Sequence, residues 1–461
     1  MPRRATLVLA AILAVGTLVA PVSGAPVRAT TLLGVLPAAS GVVTGPASQV
    51  VPGSVNRTSL ALTATYAADV RLTTATRALQ GTVTIALRND SGGPIDRVEL
   101  NTVMPRLGAM RLGAVTVDGN PSAATVEDQT ILVPLGGILP AGASASVRVP
   151  FSAALRSTLS GSNWLFTRVN GVVNLYRWLP WVSRRTPFDR PNHGDPFVTP
   201  VSPRAVVTIR TDVPLRIAGT GRRTAISADG RTQTVTAEHV RDVVLTLARD
   251  YRWLDATVGD TRIRVATRPG GNPTALMNAA KRALTRIEAL LGPYPYPLLT
   301  IAQSAGGYGM EGPGVVWIPP GTASGNLPYL VTHEVAHQWF YALVGNDQAR
   351  EPFADEAAAD MVARHVLSLR RASRCGTALL DRTIYRYGSA CYYEVVYIQG
   401  GTLLDDARRR MGNTAYWNAL RRYVEANRFG LSSTGALLTA LDDGTSRSLA
   451  DWWGPRFPTL H

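Results

Sequence analysis

His333-Glu334-Val335-Ala336-His337 sets two imidazoles one helical turn apart, with a carboxylate beside the first. On a helix, residues four apart project from one face, so both rings can grip one metal ion, and Glu334 is placed to take a proton from water on that ion. A third ligand should come from a neighbouring helix. Glu356 lies nineteen residues after His337, which leaves room for the helix to finish, a loop to turn at Gly345-Asn346-Asp347 and another helix to return alongside. Two nitrogens and one carboxylate oxygen, with a fourth position left for water, describe a catalytic zinc site and not a closed structural one. With six histidines in 461 residues, chance should give this pattern with Glu at that spacing in on the order of one chain in tens of thousands.

The charge around this pattern is unusual for the chain. Glu311, Glu334, Asp347, Glu351, Asp355, Glu356 and Asp360 face only Arg350 within residues 311–360, in a sequence whose net charge is +15. A divalent cation and a cationic substrate group would both favour such a pocket. Asp360 lies one turn after Glu356 and is expected to receive the free N–H of a ligating histidine. Asp355, facing another way, reads as a helix cap or surface group. His193, His239, His365 and His461 have no comparable partners and read as ordinary histidines.

The elements that must hold these residues divide the chain by texture. Short alternating segments, among them Gly81–Leu87, Arg97–Val103, Thr130–Val133 and Ala145–Val149, are separated by turn clusters at Asn89–Pro94 and Asp118–Pro121. That spacing predicts a β-sandwich. Ala205–Arg210, Thr232–Ala237 and Val243–Ala248 continue the strands. Past residue 250 a 3.6-residue period takes over. Thr274–Leu291 places Leu276, Ala280, Leu284, Ile287 and Leu291 on one stripe and stops at Gly292-Pro293. Asn326 is expected to cap a helix running through Phe340 to Gly345, and Glu351–Leu369 to form the next. Leu403–Arg410, Ala415–Ala426 and Ser433–Leu441 follow as amphipathic helices. The expected organisation is a signal peptide at 1–25, a spacer at 26–60, an antiparallel β-sandwich domain at 61–250 and a mainly helical α+β catalytic domain at 251–461.

Composition excludes several classes. Charged residues make up 17% of the chain, below the usual level of about 25%, while 46% hydrophobic content rules out a disordered polyelectrolyte. Arg3 and Arg4 precede the uncharged run Ala5–Val22 and the small residues Ser23, Gly24 and Ala25, an export signal. The run is marginal against the roughly 20 residues a membrane span needs, so cleavage is the expectation and an uncleaved anchor the lesser reading. The protein is then secreted or held at the cell envelope, where Cys375 and Cys391, sixteen residues apart, can close a loop. Without residues 1–25 the chain keeps 45 basic against 32 acidic residues, a net +13. The arginines are spread out and not interleaved with aromatics, which argues against nucleic acid. Peripheral association with anionic cell-surface material is compatible with that charge.

The motifs resemble those of the aminopeptidase N-like zinc metallopeptidases, a family that includes leukotriene hydrolase. His333–Phe340 (HEVAHQWF), Val344–Asp347 and Glu351–Glu356 (EPFADE) look like the family's H-E-x-x-H, eighteen residues, then Glu. Tyr308-Gly309-Met310-Glu311-Gly312 is similar to its G-A-M-E-N segment, which implies that Glu311, with Gly309 and Met310, binds the substrate and its free α-amino group. Tyr397-Ile398-Gln399-Gly400 resembles the Y-x-K-G stretch, which implies that Tyr397 stabilises the oxyanion; the residues alone do not choose it over Tyr385, Tyr387, Tyr392 or Tyr393. Asn174–Pro180 and Gly292–Pro297 carry the likeness over most of residues 65–455. The resemblance implies a thermolysin-like catalytic domain, one Zn²⁺ per chain and an aminopeptidase acting on peptides. Gly309, Gly312 and Gln399 depart from the family pattern, and roughly sixty residues follow Tyr397. A more open site is therefore expected, with endopeptidase action as the alternative and a non-catalytic envelope-binding protein with a retained metal site as the rival.

Overall fold

The computed structural model describes residues 48–187 and 196–460. The expected leader, the first part of the spacer, His193 and His461 lie outside them. Long alternating strands build the first half. Leu62–Thr73 buries every second residue and pairs along its whole length with Ala78–Asn89, which pairs in turn with Ser144–Ala154. That periodicity puts Leu62, Ala64, Tyr66, Ala68, Val70 and Leu72 inward and Asp69 and Arg71 outward. They belong to a nine-stranded sheet, and a four-stranded sheet containing Ile95–Asn101 and Thr130–Leu139 shares its core. The pairing is antiparallel, as a sandwich predicts, with one exception: Leu62–Thr73 runs parallel to Ser202–Thr211.

The chain from 48 onward, expected as the end of a spacer, is tied to this sandwich. Val51 exchanges both backbone hydrogen bonds with Ile138, and Asp96 gathers residues 54–57. Its carboxylate accepts from Ser54 Oγ (2.6 Å) and from the amides of Val55 (2.8 Å), Asn56 (2.6 Å) and Arg57 (2.9 Å). Burial alone would raise this carboxyl, but the four donors outweigh it and hold it down at about 2. A depressed folded-state value contributes stability that is present above the ordinary 3.8 and fades as pH falls through about 2. Asp96→Asn should therefore cost about 2 kcal/mol near pH 6 in urea denaturation, with the gap to the wild type narrowing as the pH is lowered from 4 toward 2. A gap independent of pH would refute this account.

The second half is not helices alone. Arg252–Val258, Thr261–Thr267, Leu298–Gln303, Val315–Ile318 and Met310–Gly312 form a five-stranded mixed sheet in that order, with Met310–Gly312 on its edge. The helix Pro273–Leu291, capped by the Asn272 side chain on the Ala275 amide, packs its Leu276, Leu284 and Ile287 into one core with Val331 and Val335. Those two valines sit on the helix Leu327–Ala336, which carries the histidines. It ends four residues earlier than Phe340, and Asn326 caps it with no side-chain bond. Further on come Ala358–Leu367, Gly400–Met411, Asn413–Ala426 and Thr434–Asp442, the last capped by Ser433. Two one-turn π-helices interrupt the pattern, at Phe353–Ala357 and Tyr393–Gln399.

Two buried arginines link the strand-rich half to the turn after the histidine helix. Arg241, 1% exposed, donates to the carbonyls of Thr199 (2.8 Å), Ala342 (3.3 Å), Leu343 (3.3 Å) and Gly430. A Cβ at Gly345 would meet its guanidinium carbon at 2.4 Å, so only glycine allows that approach. Arg177 lies over the rings of Tyr176, Phe197 and Tyr341 and donates to Gln348 Oε1 (3.1 Å).

Candidate active site

His333 and His337 project from the same face of Leu327–Ala336 and its cap, and Glu356 reaches them from the π-helical turn. The three facing atoms form a near-equilateral triangle: Nε2 to Nε2 3.2 Å, His333 Nε2 to Glu356 Oε2 3.4 Å, and His337 Nε2 to Glu356 Oε2 3.3 Å. A tetrahedral ion with ligands at about 2.1 Å spaces those ligands about 3.4 Å apart, so the triangle has the size such an ion requires. Glu356 Oε2 is buried and has no hydrogen-bond partner, as a carboxylate oxygen reserved for a cation would be. The donor set fits a metal.

Asp355 holds His337 in this orientation. His337 Nδ1 lies 2.6 Å from Asp355 Oδ1 and 3.0 Å from the Phe340 carbonyl. Gln348 Nε2 donates to the other Asp355 oxygen (2.6 Å) and lies 3.4 Å from Glu311 Oε1. This corrects the expectation for both aspartates. Asp355 is 1% exposed and is neither cap nor surface group. Asp360, expected to take a histidine N–H, instead accepts from the Tyr329 hydroxyl (2.5 Å) and pairs with Arg364 (2.8 Å), while His333 Nδ1 has no hydrogen-bond partner. Asp355 and Glu356 both lie in the π-helical turn Phe353–Ala357, and both reach His337, Asp355 at Nδ1 and Glu356 at Nε2.

Glu334 and Glu311 complete an acidic wall. The Glu311, Glu334 and His337 ligand atoms all lie within 4.8 Å of one another. Burial, with Glu311 adding, pushes the Glu334 carboxyl well above its usual range. At His337 burial would lower the imidazole, but Asp355, Glu311 and Glu356 outweigh it and raise it. Glu311 sits on the edge strand opposite Val316, so its position is set by sheet register and not by a flexible loop. Gly309 packs closely here: a Cβ would lie 2.3 Å from Glu334 Oε1, so a larger residue would have to displace that carboxylate. Met310 is buried on the cleft wall.

Opposite them, Tyr397 belongs to the second π-helical turn and stacks on His333 at 5.5 Å. Burial, with the Glu356 charge adding, raises its hydroxyl well above the ordinary value and keeps it protonated. Of the tyrosines that the residues alone left open, Tyr392 and Tyr393 also line the cleft, whereas Tyr385 and Tyr387 bond to the carbonyls of Pro187 and Leu379. The cleft holds about 310 Å³, and Trp164, Tyr308, Tyr329 and Leu330 close its sides. Cys375 and Cys391 form a disulfide that anchors the chain one residue before Tyr392. Gln399 donates to Ser373 Oγ and the carbonyls of Cys375 and Gly376 and so ties the same loop down.

Sequence reasoning missed Gln348 and Tyr329. No motif marks Gln348; Tyr329 precedes His333 by one turn and stacks on it at 5.9 Å, a placement that helical spacing could have signalled.

This fold, a β-sandwich followed by a helical domain around a His-His-Glu triangle, is that of M1 zinc metallopeptidases. A variant of the M1 zinc metallopeptidase from Deinococcus radiodurans is similar at a TM-score of 0.67 and 18% identity, over 90% of this chain and 96% of that one. The M1 zinc metallopeptidase of that organism without the substitution gives 0.64 and 19%, over 86% and 93%. The variant bound to a Tyr-Ser-Ala substrate gives 0.65 and 18%, over 90% and 95%. No protein-family profile and no curated protein matches the sequence.

Proposed function

We propose that this protein is an exported zinc peptidase that removes N-terminal residues from peptides. The observation that carries the reading is the triangle of His333 Nε2, His337 Nε2 and Glu356 Oε2, with sides of 3.2–3.4 Å and the Glu334 carboxylate beside it. A zinc ion held there would polarise the scissile carbonyl and make water acidic enough to attack at neutral pH. Glu334 takes the proton of the attacking water and returns one to the leaving nitrogen. Tyr397, protonated, donates to the oxygen on which negative charge develops. Glu311 pairs with the substrate ammonium, which sets the register of the first peptide bond against Glu334. The solved structure with Tyr-Ser-Ala supports a peptide as the substrate class, and the Arg3-Arg4 and Ala5–Val22 pattern supports export. Among the described residues no helix is long and apolar enough to cross a membrane.

The test compares free and N-acetylated fluorogenic amino-acid amides on zinc-loaded protein. Free amides should be cleaved at least about tenfold faster, the worth of one charged hydrogen bond, and Glu311→Gln should erase that preference. Equal rates on both would remove Glu311 from its role and make the enzyme an endopeptidase.

A further inference from the structure

A second cavity, of about 560 Å³, opens between the end of Ala358–Leu367, residues 368–371 and the helix Gly400–Met411. Five arginines line it, Arg364, Arg370, Arg371, Arg408 and Arg409, against Asp405 and Asp406. Asp405 is shared: one oxygen accepts from Arg408 (2.7 Å), the other from Arg409 (2.7 Å). Arg364 is committed to Asp360. Among the described residues neither Arg370 nor Arg371 makes a close ion pair, although Asp360 and Glu394 act on Arg371 at longer range. His365, held below its ordinary value by burial and by Arg408, adds no charge at neutral pH. Positive charge is therefore in excess, in a recess of the size that takes small ligands and with guanidinium forks suited to phosphate.

The cavity shares a wall with the catalytic cleft. The Arg371 guanidinium lies 4.4 Å from the Tyr329 ring centre and 5.5 Å from that of Tyr393, and it donates to the Tyr393 hydroxyl. Both tyrosines line the cleft. An anion that draws Arg371 toward the cavity must loosen its hold on them.

We propose that this cavity is a binding site for a multivalent phosphate-type anion, free or carried on a lipid headgroup, and that its occupancy alters the neighbouring cleft through Arg371. The binding stands by itself; the effect on the cleft rests on the peptidase reading. The test titrates inorganic pyrophosphate into the metal-loaded protein by calorimetry at constant ionic strength, with sodium chloride as the control. Pyrophosphate should bind, at least tenfold more weakly in Arg370→Gln/Arg409→Gln and more tightly in Asp406→Asn, a gain that misfolding could not mimic. Equal affinity in all three proteins, or no binding beyond that of chloride, overturns the site. Sedimentation with phosphatidylglycerol against phosphatidylcholine vesicles separates the sources: selective sedimentation assigns the lipid headgroup, and pyrophosphate binding without it assigns the free anion. Pyrophosphate should also change KM for a peptide amide at least threefold in the wild type and not in the double variant; an unchanged KM with binding intact overturns the coupling alone.

Discussion

Glu334→Gln is expected to lower kcat at least about 10³-fold, within the range a positioned general base contributes, while bound zinc and protein stability stay near wild type. The argument is one of place. The carboxylate is 5% exposed, adjoins the metal triangle, and has the backbone of Gly309 packed against it with no room for a Cβ. Glutamine keeps that shape and cannot accept the proton. In the protein alone, burial and Glu311 hold the Glu334 carboxyl high; a divalent cation nearby pulls it back down, so that a base is present at neutral pH. Metal content by elemental analysis and kcat on a free amino-acid amide check the two halves together. Turnover within tenfold of wild type, at equal zinc, would sink the role given to Glu334.

The second large effect concerns a residue that supplies no ligand atom of its own and acts through His337. Asp355→Ala should weaken zinc binding about 10–100-fold, the usual consequence of removing a carboxylate behind a ligating histidine. His337 Nδ1 would keep the Phe340 carbonyl at 3.0 Å, so the tautomer survives and the loss lies in basicity and orientation. Gln348 would at the same time lose its 2.6 Å acceptor. Competition with a chelator of known affinity reads the change directly, and Asp360→Ala serves as the comparison: it breaks contacts to Tyr329 and Arg364 and should leave the affinity within about threefold. A larger loss in Asp360→Ala than in Asp355→Ala would restore the spacing-based expectation.

That reversal marks the limit of reading this site from spacing. His333, His337 and Glu356 were legible because helical repeat and segment length fix where they fall. Asp355 was not, since spacing fixes which residue can be the third ligand but not that its neighbour reaches the far nitrogen of His337, and nothing in EPFADE announces a π-helical turn. The sandwich strands were legible where one face meets solvent, as in Ala78–Asn89 and Ser144–Ala154. The five-stranded sheet was hidden for the opposite reason. Val315–Ile318 is buried on both faces and Leu298–Gln303 nearly so, so neither shows alternation. The histidine helix was drawn through Phe340 to Gly345 because apolar periodicity continues there, whereas the chain leaves the helix after Ala336 and turns, with φ of 129° at Tyr341.

Arg241 bears on how the two halves of this chain depend on each other. It belongs to the strand-rich half, yet it solvates its charge with carbonyl oxygens of the turn that ends the histidine helix and of Gly430. Severed near residue 250, the metal-bearing half would present those oxygens bare, and the other would keep a stranded cation in an apolar interior, which is costly on either side. A fragment beginning near residue 250 is therefore expected to fold less stably than the intact chain, which its urea denaturation would show.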